Sequence, residues 1–301
     1  MHVVTGGSGF IGRALVEKLL GRGEEVRVID LTPPPLKHKN LIFTKKSILD
    51  NLSSELKGCE AVYHFAALLG VQNSDTHPLQ TLEVNLIGSR NVFKTAIENR
   101  IKKIIYSSSS EVYGEPRELP IREDTTKGPV STYGVSKLAA EMYALAYAKE
   151  NGVDFRIVRF FNVYGPGQQP QFVIPLFIKN VIEGKAPKVF GEGNQTRCFT
   201  YVDDAVDGAL AVLDKGKLGE AYNIGNNQQT TIMELAKLII QASGKPLKPE
   251  IVSFGKSTRL KEREVNYRQP DISKMKSLGW VPRVMVGEGV TKTFKWMSTH
   301  K

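Results

Sequence analysis

Residues 5–12 read TGGSGFIG, with Gly6, Gly9 and Gly12 in the spacing G-x-x-G-x-x-G. The β-branched run HVVT precedes this turn, and a helical pattern, GFIGRALVEKLLGRG, follows it. Missing side chains at a strand-to-helix turn let backbone amides approach a pyrophosphate at the helix N-terminus. The next apolar run, EVRVID, ends in Asp30, eighteen residues past Gly12, where a carboxylate can accept both hydroxyls of a ribose. An acid there repels a 2′-phosphate, so the expected dinucleotide is NAD rather than NADP.

Outward from that turn, the first half of the chain repeats one unit. LIFT, AVYHFAA and KKIIYSS are further apolar runs, and LEVNLIGSRNVFKTAIENR lies between the last two. Strands alternating with helices imply an α/β fold with a doubly wound, Rossmann-type parallel sheet. After Phe161 the alternation loosens into NVYGPGQQPQFVIP, where a second, smaller lobe is expected to begin. In that half TIMELAKLIIQASG reads as an amphipathic helix ending at a glycine, and VGEGVTKTFKWMSTH as a terminal helix.

The 301 residues are long enough to bury a substantial core. Neither a membrane-length apolar run nor a basic-then-apolar leader is seen, which points to a cytoplasmic protein. Cys59 and Cys198 stand far apart and lack the paired spacing of metal sites or disulfide frameworks. The net charge of +10 has no long basic run behind it; KHK, KK and RLKER are short and scattered. No nucleic-acid recognition motif accompanies that charge, and an anionic small substrate accounts for part of it.

A second constellation is STYGVSK, in which Tyr133 and Lys137 are four apart and share one helix face. A free phenol, with a pKa of ~10, is a poor base at neutral pH, but a neighbouring ammonium favours its phenolate. Tyr133 can then take a proton from a substrate alcohol. A third is YSSSSEVYG, residues 106–114, where a strand is expected to end in serines beside Glu111. His64 and the pair Phe160 and Phe161 read as core, while Asp203 and Asp204, after FTYV, read as candidates for capping a helix.

TGGSGFIG, HFAA, SSSSEVYG, YGVSK, RFFNVYGPGQ and GEGNQTRCFTYVDD occur together and in this order. With them the chain resembles the extended short-chain dehydrogenase/reductase family, specifically its nucleotide-sugar epimerases and dehydratases. The resemblance implies an NAD-binding domain over residues 1–161 plus about 195–215, and a nucleotide-sugar-binding lobe over about 162–194 and 216–301. It implies Ser109, Tyr133 and Lys137 as catalytic residues, with Glu111 a further candidate. Tightly bound NAD would be held by Gly6, Gly9, Phe10, Ile11, Gly12, Asp30, Ile48, Ala66, Ala67 and Asn85, together with Tyr133 and Lys137. The substrate would meet Ser109 and Ser110, with Asn162 and Arg197 at its diphosphate. No metal is implied, and a homodimer packed through helices near residues 88–99 and 131–150 is. Two departures from the family pattern stand out: Ser47 where relatives often carry an aspartate near the adenine, and Cys198 where they carry an acid.

The same resemblance frames three fates for a sugar oxidised at C4. A ketone that turns over and is reduced on its other face gives a 4-epimerase, which needs no further base. Loss of the C5 proton and the C6 hydroxyl gives a 4,6-dehydratase, and loss of a C5 carboxylate gives a decarboxylase. Dehydratases of the family carry Asp-Glu before VYG, whereas this chain has Ser110 and Glu111. Epimerase is the first expectation, with decarboxylase or dehydratase chemistry through Glu111 as the alternative; a ketosugar reductase or a non-catalytic NAD-binding protein stands behind these.

Overall fold

Short β-branched runs build the central sheet, and alternation along them decides which face each side chain supports. β1 (His2–Thr5), β2 (Val26–Asp30), β3 (Leu41–Lys45), β4 (Ala61–His64), β5 (Lys103–Ser109) and β6 (Asp154–Phe160) follow one another, joined through helices except between β2 and β3, where a loop makes the connection. Four two- or three-residue strands come next: β7 (Val163–Tyr164), β8 (Lys188–Phe190), β9 (Thr196–Arg197) and β10 (Thr200–Tyr201). β11 (Ala221–Ile224) then returns to the sheet, which is wholly parallel in the order β11-β6-β5-β4-β1-β2-β3. Its seven strands confirm the doubly wound α/β expectation. The computed structural model describes residues 1–69, 74, 76–253 and 268–300, and the basic stretch 259–263 lies outside them.

Val4, Tyr63 and Ile105 face a core shared with the helices Phe10–Gly21 and Val202–Lys215, through Leu15, Leu19, Ala205 and Leu210. Val3, Val62 and Ile104 face the opposite core, with Val92 and Phe93 of Ser89–Glu98 and Ala140 and Ala144 of Thr132–Asn151. Burial on both faces is why these strands are continuous apolar runs rather than alternating ones. Strand order reverses between β1 and β4, so crossovers leave in opposite directions there and open a crevice at the carboxyl ends.

The helices Val173–Ile182, Ile232–Ser243 and Val286–Thr299 pack a second core around Phe177, Ile178, Leu235, Ile239 and Val290. Ile232–Ser243 is bounded by local chemistry: a capping box between Thr231 and Glu234 opens it, and Gly244, at a φ of 65°, closes it. β11 belongs to the sheet although residues 221–224 lie within the stretch the sequence assigned to the second lobe. Sequence patterning missed this because a four-residue edge strand carries no helix-strand alternation of its own. Among the described residues, no helix is long and apolar enough to cross a membrane.

Two buried polar groups fix how the layers meet. Glu141, on the helix Thr132–Asn151, accepts from Arg159 Nε at 2.9 Å and Nη2 at 2.7 Å, and from the Ser108 hydroxyl. The two charged side chains are 2% and 5% exposed, so neither has water to fall back on. His64 Nδ1 pairs with Thr5 Oγ1 at 2.7 Å and Nε2 with Ser89 Oγ at 2.9 Å, a core histidine with both nitrogens satisfied. Burial, reinforced by the Lys137 charge, pushes its pKa down to about 3.

Glu141→Ala leaves a guanidinium buried without its counter-charge and lowers stability by about 3–5 kcal/mol, measured from urea unfolding; a loss below about 1 kcal/mol would contradict this dependence. His64 is neutral when folded, while the unfolded imidazole protonates below pH about 6.5. Its contribution is therefore complete above that pH and is lost as pH falls towards about 3. Imidazole NMR shifts at pH 5 should show this ring unprotonated, and a protonated ring in the folded protein would refute the assignment.

Candidate active site

The carboxyl ends of β1, β2, β4, β5 and β6 open onto one cleft of about 730 Å³. Gly6, Gly9, Phe10, Ile11 and Gly12 form one wall. A Cβ on Gly12 would lie 2.1 Å from the Gly6 carbonyl oxygen, so only glycine lets the helix start this close to the turn. That helix has Gly9 at its N-cap, no side-chain cap and no acid in its first turn. Its leading amides are thus left for an anion, as a dinucleotide pyrophosphate requires. At the end of β2 the Asp30 carboxylate accepts from Ser8 N at 3.0 Å and Leu31 N at 2.7 Å, which aims it along the same wall. Ser47, Ile48, Ala66 and Ala67 continue the lining. These residues fit NAD in shape and in donor chemistry.

Asn85 is placed differently from the sequence expectation. Among the residues lining the cleft it is absent; it is buried behind the wall. There it accepts from Leu68 N at 2.7 Å and donates to Leu68 O at 3.1 Å and Ser136 Oγ at 3.2 Å. Its position supports the loop that follows β4.

Across the cleft, the helix Thr132–Asn151 begins at Ser131, whose hydroxyl accepts from Gly134 N at 3.0 Å. Its four-residue spacing brings Tyr133 and Lys137 to the cleft together with Ser109, Ser110 and Glu111 from the end of β5. Lys137 Nζ donates to Ser107 O at 2.7 Å and lies 5.8 Å from the centre of the Tyr133 ring. Burial pushes Lys137 down to about 7, against the pull of the Glu141 carboxylate. Burial also raises the Tyr133 pKa, the Glu111 carboxylate adds to the rise, and the Ser109 hydroxyl works in the opposite direction.

One residue unmarked by any sequence pattern completes this wall. Arg268 lines the cleft and forms an ion pair with Glu111 through Nη1. It lies 157 residues away in sequence, in a stretch without periodicity, and the only local signal is a lone basic residue before Gln-Pro. Asn162, which also lines the cleft, adopts a φ of 40°, and its Nδ2 donates to Cys198 O at 3.4 Å. Arg197 is in β9, outside the residues that line the cleft, and donates to Thr196 O at 2.8 Å. Cys198 is buried, and desolvation pushes its thiol up to about 12, so it presents no thiolate. Asp203 and Asp204 occupy the first turn of Val202–Lys215 rather than its cap, which is Tyr201. Asp204 Oδ2 instead accepts from Arg283 N at 3.0 Å and Val284 N at 2.9 Å. Among the described residues, no group of three or more His, Cys, Asp or Glu side chains is arranged to hold a metal ion.

Residues 2–225 match the model of the NAD dependent epimerase/dehydratase family. A UDP-N-acetyl-alpha-D-glucosaminuronate decarboxylase from Bacillus cytotoxicus is 35% identical over 312 residues, covering 98% of this chain and 96% of the relative. A human dTDP-D-glucose 4,6-dehydratase is 35% identical over 311 residues, covering 98% of this chain and 89% of the relative. Among solved structures, the UDP-glucose 4-epimerase of Thermotoga maritima, with UDP-glucose, superposes with a TM-score of 0.92 at 33% identity, covering 100% of this chain and 99% of that one.

The placement of Glu111 beside the phenol has a measurable consequence. Glu111→Gln removes the negative charge that opposes the phenolate and leaves the Arg268 cation facing the cleft, so the Tyr133 pKa falls. Tyrosinate absorbance titrated against a Tyr133→Phe background isolates this phenol; an unchanged or higher midpoint would show that the two groups do not interact.

Proposed function

The chain belongs to the NAD-dependent epimerase/dehydratase family, and from that membership we propose that it is a cytoplasmic nucleotide-sugar 4-epimerase acting on a UDP-sugar such as UDP-glucose or UDP-galactose. The observation that carries this reading is the pairing of Glu111 with Arg268 beside a complete Ser109, Tyr133 and Lys137 set. Epimerisation at C4 asks for one base and no additional acid. A dehydratase asks for an acid beside the departing C6 hydroxyl, and here the carboxylate beside the phenol, Glu111, is engaged by the Arg268 guanidinium.

NAD fits the wall formed by Gly6, Gly9, Phe10, Ile11, Gly12 and Asp30 and, when bound, supplies the acceptor and then the donor of the C4 hydrogen. Tyr133 takes the proton of the C4 hydroxyl, which Ser109 orients by hydrogen bonding. Lys137 stabilises the phenolate form of Tyr133 that accepts this proton and would engage the cofactor ribose. After the ketone has turned over, Tyr133 returns the proton to the oxygen on the inverted carbon, so protons and electrons balance without a further reactant. Asn162 is assigned to the substrate diphosphate, with Arg197, whose Nη1 donates to the Thr196 carbonyl, assigned beside it.

A decarboxylase is the second reading, and Arg268 favours it. A guanidinium facing the sugar can receive a C5 carboxylate in two-pronged contact, displacing Glu111 from its pair. The proposal also includes a homodimer. Val135, Met142 and Tyr143 on Thr132–Asn151 and Ile87 on Glu83–Gly88 are exposed large apolar groups on the helices expected to pair.

A panel of UDP-, dTDP-, GDP- and CDP-sugars, UDP-glucuronate included, followed by NMR, tests the reading. The expected product is an equilibrium mixture of C4 epimers of one UDP-sugar, abolished in Tyr133→Phe. A 4-keto-6-deoxy sugar would replace epimerase by dehydratase, and a pentose with carbon dioxide would replace it by decarboxylase.

A further inference from the structure

Residues 165–172, between β7 and the helix Val173–Ile182, roof the cleft through Gln168, Gln169 and Phe172. Gly165 and Gly167, at φ values of 153° and 81°, give this segment a course that side-chain-bearing residues rarely follow. Its local bonds include Gln168 N to Gly165 O at 3.2 Å and Gln168 Nε2 to Val163 O at 2.9 Å. Among the described residues, the hydrogen bond that ties the roof to a distant element comes from Arg13, whose Nη2 donates to Pro166 O at 3.1 Å.

Arg13 stands on the first turn and a half of the helix that starts at Gly9, on the dinucleotide side of the cleft. Its guanidinium carbon lies 5.9 Å from the centre of the Trp296 ring, on the terminal helix. A Cβ on Gly167 would come within 2.2 Å of Nη2, so the glycine there also makes room for the cation. Arg13 Nε makes no hydrogen bond among the described residues but lies 3.7 Å from the Glu17 carboxylate one turn along the same helix, so the guanidinium is held in place from its own helix while Nη2 reaches the roof.

We propose that Arg13 is a positioning residue for the sugar-nucleotide half of the cleft: it holds the 165–172 roof against the dinucleotide-side helix and the terminal helix while lining neither ligand's wall. The inference rests on the nucleotide-sugar reading above and adds to it a residue that sets affinity from outside the site. Loss of the cation releases the roof, so nucleotide binding weakens while the glycine turn, and hence the retained dinucleotide, is undisturbed.

The test uses the full chain as purified, with UDP, dTDP, GDP and CDP titrated by calorimetry. Arg13→Met should weaken the tightest of these about tenfold or more, with the dinucleotide content of the protein unchanged. Arg13→Lys, which reaches the carbonyl but cannot span to the ring as a planar fork, should fall between the two. Native affinity in Arg13→Met with a lowered melting temperature would overturn the proposal and leave Arg13 a stability residue. Should Arg13→Met not fold, native affinity in Arg13→Lys and in Trp296→Leu would overturn it equally. If the native chain binds none of the four diphosphates, the nucleotide-sugar reading falls first and this inference with it.

Discussion

A carboxylate cut off from water anchors the helix that carries Tyr133 and Lys137 to the cleft. Glu141 binds Arg159 on β6 and the Ser108 hydroxyl on β5 from a single position on the helix Thr132–Asn151. Tyr133, Lys137 and Glu141 follow one another at four-residue intervals, so fixing the third fixes the rotation of the helix about its axis and thus the first two. Arg159 carries the constraint further, donating to Tyr113 Oη at 2.7 Å and to Glu123 O at 2.9 Å. Tyr113 Oη in turn donates to Asn223 Oδ1 at 2.7 Å, which ties β11 to the same network. A network this dry holds only if each member is satisfied, and that requirement is what gives it one geometry.

The run of serines at the end of β5 acquires distinct duties from this arrangement. The Ser107 carbonyl accepts from Lys137, the Ser108 hydroxyl faces Glu141, and Ser109 and Ser110 line the cleft with Glu111. Small hydroxyl residues suit all of these positions because successive side chains point to opposite faces and the helix lies close against one of them. Charge is balanced across the wall as well: Glu111 opposes the phenolate, and Arg268 compensates Glu111. The result is a cleft wall with no bare charge beside the phenol.

Much of the sheet was legible from the chain because parallel strands buried on both faces leave continuous β-branched runs, and the helices between them leave their own period. Gly6, Gly9, Gly12, Asp30, Tyr133 and Lys137 were legible for a related reason: each owes its place to a local turn or a helical repeat. Arg268 was not, since its partner Glu111 is brought to it by tertiary folding alone. Asn85 and Arg197 were placed at ligands by resemblance, yet their side chains are engaged with Leu68 and Ser136 and with Thr196. Polar side chains near a site serve backbone as readily as ligand, and sequence cannot distinguish the two uses. β11 shows the same boundary of inference at the level of the fold: its place at the sheet edge follows from pairing with β6, a contact between segments some sixty residues apart.

The helix Phe10–Gly21 explains how two lobes can share a cleft without a hinge between them. Leu15, Val16 and Leu19 are buried in the sheet's core, whereas Phe10 packs against the core of the second lobe and Ala14 against both. The leading residues of the same helix meanwhile form the glycine wall of the cleft. One rigid element therefore contacts the sheet, the second lobe and the dinucleotide side at once. Any displacement of the second lobe would have to break apolar contacts along this helix as well as the polar one from Arg13. Close packing resists such partial shifts, because a gap too small for water gains nothing in place of the contacts it loses. The glycine wall is thereby fixed by packing of Phe10–Gly21, and Tyr133 by the Glu141 network on the other face of the sheet, so both sides of the cleft are held by elements anchored in the same sheet.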